Sequence, residues 1–153
     1  MDKSDPGWVA LPIVVALGWL LIFSILIFDA RSRAKKVRKT SEAVPDAYLV
    51  GEATDPRGSS VGVRVLVVQP SGVSLCNGSG DKLRPVWELA WADITTADVS
   101  EYKYKFNTRP AVRITCRDGR TKFLLLVDKK RLTVALMDFP RRVAALINEH
   151  AGR

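Results

Sequence analysis

The stretch Val112–Val127 reads VRITCRDGRTKFLLLV. Val112, Ile114 and Cys116 alternate with Arg113, Thr115 and Arg117, the period-two pattern of a strand with one buried face. Asp118-Gly119 interrupts the alternation, and glycine accepts the positive φ that a two-residue hairpin turn requires. Arg120–Val127 then runs back as a second, more apolar strand. A two-residue turn pairs Arg117 with Arg120, Thr115 with Lys122 and Ile114 with Phe123, so polar meets polar and apolar meets apolar. An antiparallel hairpin is therefore expected here.

The same grammar extends toward the amino end. Tyr48–Thr54 reads as a first strand, ended by the turn-forming DPRGSS. Val63–Gln69 is β-branched, PSG at Pro70–Gly72 turns it, and Val73–Asn77 returns. After the loop GSGD, Arg84–Ala90 is a fourth strand that places Trp87, Leu89 and Trp91 on one face. Glu101–Phe106 alternates Tyr102, Tyr104 and Phe106, expected inside, against Glu101, Lys103 and Lys105. A five-residue loop Asn107–Ala111 would pair Phe106 with Val112, Tyr104 with Ile114 and Lys105 with Arg113. Leu132–Met137 suggests a short helical turn. A closing helix begins near Asp138, an N-cap residue type, with Pro140 in its first turn and Phe139, Val143, Leu146 and Ile147 as an apolar stripe. Residues 48–151 are thus expected to be a mainly β (α+β) domain of about seven antiparallel strands in two near-orthogonal sheets, closed by the C-terminal helix.

The amino-terminal part follows different rules. WVALPIVVALGWLLIFSILIF, Trp8–Phe28, is a run of 21 residues without a charge. At about 1.5 Å per residue such a helix spans the roughly 30 Å hydrocarbon layer. Six basic residues follow at once: Arg31, Arg33, Lys35, Lys36, Arg38 and Lys39. Basic residues next to a membrane end stay on the cytoplasmic side. The expected arrangement is a short outside segment 1–7, a transmembrane helix 8–28, a basic juxtamembrane linker 29–47 and a cytoplasmic domain 48–151. The protein is then a single-pass protein of the cell membrane, and the same six cations can contact anionic lipid. A cleaved signal peptide fits poorly, because Lys3 lies between two aspartates and the cations follow the apolar run.

The order of elements in VRVLVVQPSGVSL, WELAWADITTADV and VRITCRDGRTKFLLLV, followed by the terminal helix, resembles the pleckstrin-homology-like superfold in its bacterial, GRAM-related variety. WADI at Trp91–Ile94 is similar to the aromatic-x-acid-Ile step such domains carry between their two sheets. The resemblance covers residues 48–151 and implies a non-catalytic binding or scaffolding module.

The formal net charge of +8 favours anionic partners without choosing among them. No cluster of residues has metal-ligand spacing, and His150, the one histidine, has no Ser or Cys partner in sight, so neither an enzyme nor a cofactor is expected. Cys116 fits an apolar strand face, whereas Cys76 falls out of phase with Val73 and Leu75 and is expected at an edge or in solvent. In the register above, Lys103, Lys105, Arg113, Arg117, Arg120 and Lys122 would share the outer face of one sheet. Such a face suits simple solvation or contact with an anionic leaflet. Nucleic acid is disfavoured, because the neighbouring aromatics would point to the opposite face. Two functions follow: a protein-binding or scaffolding domain at the membrane, or an anionic-lipid-binding regulatory domain.

Overall fold

A computed structural model describes residues 7–57, 62–104, 106–126 and 138–152. The chain divides into two compact units, Met1–Lys35 and Lys36–Arg153.

Helix α1 runs Gly7–Ala43, 37 residues. Among the described residues it is the one helix long and apolar enough to cross a membrane. Its apolar side chains from Leu11 to Phe28 are exposed in the isolated chain, as a helix without an amphipathic stripe requires. The helix does not stop at Phe28. Residues 29–43, expected as a linker, are helical, because nothing between Asp29 and Ala43 breaks a helix and Arg33–Asp29 and Arg38–Glu42 form i,i+4 ion pairs on it. Val44-Pro45 ends it where a proline cannot continue the ladder.

Residues Lys36–Ala43 belong to the second unit. Thr40 is fully buried there; its hydroxyl donates to the Lys36 carbonyl at 2.9 Å and accepts the Gly80 N–H at 3.2 Å. The last helical turns are thereby held against the connection that follows the third strand.

The rest of that unit is a curled, seven-stranded antiparallel sheet and one helix. The strands are β1 (Leu49–Thr54), β2 (Arg64–Gln69), β3 (Gly72–Asn77), β4 (Arg84–Ala90), β5 (Ile94–Tyr104), β6 (Asn107–Cys116) and β7 (Thr121–Leu126). They hydrogen-bond in the order β4-β3-β2-β1-β7-β6-β5 as one continuous sheet, where the sequence suggested two. Among the described residues β1 meets β7 through Ala53 with Leu126 and Thr54 with Leu125. Helix α2 (Asp138–Ala151) packs on β5, β6 and the turn Trp91–Asp93, and buries Val143, Ala144 and Ile147 in the core. Leu66, Val68, Val73, Leu75, Ile94, Val112, Ile114 and Leu124 complete that core from the strands. Expected elements at Val127 and Leu132–Met137 lie outside the described residues.

Both carboxyl-terminal hairpins depart from their expected register. In the β6–β7 hairpin Thr115 pairs with Thr121, Ile114 with Lys122 and Arg113 with Phe123, one residue off. The turn explains the shift. Gly119 N–H donates to the Cys116 carbonyl at 3.0 Å, Cys116 N–H donates to the Arg120 carbonyl at 2.8 Å, and Gly119 has φ +82°. This is a three-residue loop with glycine in the left-handed position, one residue longer than a two-residue turn. In the β5–β6 hairpin Val99 pairs with Val112 and Tyr104 with Asn107. The strands therefore run on through Asn107–Pro110, which the sequence suggested as loop. β5 also begins seven residues earlier than expected, at Ile94.

Candidate functional site

These registers decide which side chains meet. Paired residues on antiparallel strands share a face. Ala97, Val99, Val112, Ile114 and Leu124 fall on the core side. Asp98, Arg113 and Phe123 fall on the outer side, as do Ser100 with Ala111 and Tyr102 with Arg109. A small second cluster lies there: Ala111, Phe123 and Leu125, with Tyr102 packed on it. Tyr102, expected inside, is thus on the outer side, its ring 5.1 Å from that of Phe123.

The expected basic face is not assembled. Lys103 has the parity of Val99, opposite to Arg113. Arg113 is bidentate on Asp98, with Nε–Oδ1 3.0 Å and Nη2–Oδ2 2.5 Å, so its charge is largely matched. Arg120 binds Asp118 at 2.6 Å, and the Arg120 backbone N–H, together with this pair, holds the Asp118 carboxyl below its usual range. Arg117 is exposed beside the turn, and its N–H donates to the Asp93 carbonyl. Lys122 pairs with Ile114 and lies half-buried near Trp87. Lys105 lies outside the described residues. Two register differences are the physical reason: the longer turn moves Lys122 to the parity of Ile114, and the β5–β6 register moves Lys103 to that of Val99.

The juxtamembrane cations are placed by α1. Arg31, Lys35, Lys36, Arg38 and Lys39 are exposed on the helix, and Arg33 bonds Asp29 at 3.1 Å. At about 100° per residue Arg31, Lys35, Arg38 and Lys39 fall on one face of the helix, while Lys36 and Arg33 lie off it.

A concave site instead opens where strand ends from distant parts of the sequence meet. Asp55, Arg57, Arg64, Val86, Trp87, Thr121, Lys122 and Phe123 line a cavity of about 290 Å³. Asp55 organises it. Its Oδ1 accepts the Arg57 N–H at 2.9 Å, a local turn just past β1, and its Oδ2 accepts the Trp87 Nε1–H at 3.1 Å. The Arg57 guanidinium lies over the Phe123 ring at 4.3 Å and donates to Thr121 Oγ1 at 3.2 Å. Lys122 Nζ is 5.7 Å from the Trp87 ring centre. Arg64, buried at the start of β2, is also part of the lining. Three cations, one carboxylate and two aromatic walls therefore converge on one opening. The lining sets positive charge beside aromatic faces.

Sequence reasoning did not find this site, because its residues span positions 55 to 123 and meet only through the β1–β7 join. The available signal was Asp55-Pro56-Arg57, a turn that places an arginine at the end of a strand.

Nucleophile chemistry is poorly supported at the cysteines. Cys116 is in the core, as expected, but Cys76 is also buried, at 4 % exposure, because both faces of β2 and β3 are covered. Burial raises both thiols above their ordinary value, and a hydrogen bond from Cys76 to the Ser74 hydroxyl at 3.6 Å only partly opposes this. His150 is sandwiched, stacked on Tyr48 at 4.2 Å and tilted against Trp91 at 5.3 Å, which is a packing role. Among the described residues no group of three or more His, Cys, Asp or Glu is placed to hold a metal ion. No protein-family model and no curated protein matches this chain.

Proposed function

We propose that the chain is a single-pass protein of the cell membrane, amino terminus outside, whose cytoplasmic pleckstrin-homology-like domain is a non-catalytic binding and scaffolding module for another protein. The strand order supports the family reading, with β1 flanked by β2 and β7, edges at β4 and β5, and a C-terminal helix packed on β5, β6 and the turn before β5. In that reading β1–β4 and β5–β7 are the two near-orthogonal sheets, meeting where β1 pairs with β7. The apolar helix followed by six cations supports the anchor and its orientation.

The carrying observation is the aromatic-walled cationic cavity around Arg57, Arg64 and Lys122. Asp55 sits among these cations, so the cavity suits a single carboxylate beside an apolar group better than a multiply charged phosphate headgroup. An acidic, partly apolar segment of a partner protein is the proposed ligand. The second reading, an anionic lipid headgroup in the same cavity, shares the cations and differs in the charge required.

Photo-crosslinking tests both. A photoreactive residue replaces Val86, an exposed wall of the cavity, in the full chain in intact membranes. The expected result is a discrete protein adduct that the double variant R57E/K122E abolishes. Lipid adducts in its place assign the cavity to a headgroup, and protein adducts indifferent to R57E/K122E sink both readings.

A further inference from the structure

The β5–β6 hairpin outruns the rest of the sheet. Among the described residues β7 pairs with β6 from Val112 to Thr115. Beyond that point the described pairs join β5 and β6: Glu101–Pro110, Tyr102–Arg109, Lys103–Thr108 and Tyr104–Asn107. Four pairs at about 3.4 Å each make a two-stranded ribbon of roughly 10–14 Å. Tyr102 ties its base to Phe123. At its tip Phe106 is 99 % exposed, the most exposed large apolar side chain described. Lys103 and Arg109 are exposed on the ribbon, and the sequence Glu101–Pro110 holds three basic residues against one acidic one.

A lone exposed leucine on a broad surface needs no explanation, but an aromatic ring at the end of a cationic projection has a specific complement. A bilayer interface with anionic headgroups offers apolar depth for the ring and phosphate for the cations. The ribbon's roughly 10–14 Å exceeds the roughly 5–10 Å to which interfacial groups sink, so its tip can enter while its base stays outside. A two-stranded ribbon is marginal alone in water, so such a surface would also order it.

We propose that this ribbon is a membrane-dipping finger. Phe106 enters the interface of an anionic leaflet while Lys103 and Arg109 bind headgroup phosphates. The finger is separate from the Arg57–Arg64–Lys122 cavity. It rests on the membrane-anchored reading, which holds the ribbon near lipid at high local concentration.

The test uses the full chain in nanodiscs. An environment-sensitive fluorophore is attached at F106C, or at S71C in the exposed β2–β3 turn as the control; Cys76 and Cys116 are buried and give little background. In discs containing phosphatidylglycerol, the label at position 106 should shift to the blue and resist aqueous iodide about threefold better than in neutral discs, with the gain removed by high salt or by K103E/R109E. The label at position 71 should stay accessible in both. Equal quenching at 106 in the two disc types overturns the proposal, as does equal protection at 71. Protection by added RNA in detergent, with none in anionic discs, reassigns the finger and overturns it too. A chain that leaves the disc on carbonate washing identifies failure of the anchor instead; a retained chain with a water-exposed tip identifies failure of the finger alone.

Discussion

Gly72 and Gly119 both adopt positive φ, at +147° and +82°, yet a side chain would meet different surroundings at each. A Cβ on Gly72 would collide with the backbone carbonyl of Leu89 on the neighbouring strand β4, whereas one on Gly119 meets nothing within 4 Å. The first glycine is required by close approach and conformation together, the second by conformation alone. Gly72→Ala should therefore destabilise the domain by about 1–3 kcal/mol and disturb the β3–β4 pairing. Gly119→Ala should cost only about 1 kcal/mol, the strain of a left-handed alanine. Urea denaturation of the two variants in detergent checks this, and equal losses would refute it. Such a distinction is invisible in sequence, where both glycines read as turn residues. Cys76 shows the same limit: its phase predicted exposure, but phase cannot tell that both faces of a sheet are covered.

At the scale of elements, the hydrophobic period located nearly every strand, since it needs only neighbouring residues. Register was less legible. The Asp118-Gly119 dipeptide fits both a two-residue turn and a three-residue loop ending in glycine, and the choice rests on hydrogen bonds from Cys116 and Gly119 that no local pattern encodes. That turn and the shifted β5–β6 register together dissolved the expected basic face, and the cationic cavity lies elsewhere. The exposed edge of β5 is a related case. Asn148 on α2 presents its amide to that edge like a strand: its Oδ1 accepts the Ala97 N–H at 2.7 Å and its Nδ2 donates to the Ala97 carbonyl at 2.7 Å. Thr96 Oγ1 donates to the same Oδ1 at 3.3 Å. The amide thus anchors α2 and occupies a position where another chain could pair. Asn148→Ala should lose about 1–2 kcal/mol of stability and expose the edge. Asn148→Asp keeps the acceptor but sets a carboxylate oxygen against the Ala97 carbonyl, so it should be at least as damaging above pH 5. Faster exchange of the Ala97 amide in both variants is the expected signature; unchanged exchange would assign Asn148 to surface decoration.

For the whole molecule, composition separated an apolar helix from a β-rich domain, and the structure retains that division while moving its boundary. The basic stretch is helical, and the last turns, Lys36–Ala43, belong with the sheet. Arg31, Lys35, Arg38 and Lys39 share one face of the helix and Arg33 and Lys36 lie off it, and the charge rule counts all six by number and distance from the apolar run. The proposed orientation can be tested on that basis. A reporter active only in the cytoplasm, fused after Arg153, should be active in the native chain. Changing Arg31, Arg33, Lys35 and Lys36 to Gln while changing Asp2 and Asp5 to Arg inverts the charge difference across Trp8–Phe28 without altering the apolar run. The reporter should then fall silent in a substantial fraction of chains, and a reporter active only outside should gain what the first one loses. Gly80 and Thr40 are untouched by these changes, so the helix-to-sheet contact survives and the result reads topology, with folding checked by protease resistance of the domain. If the cytoplasmic reporter is silent in the native chain, the six cations are not topology determinants, and the case for an inside domain fails with them.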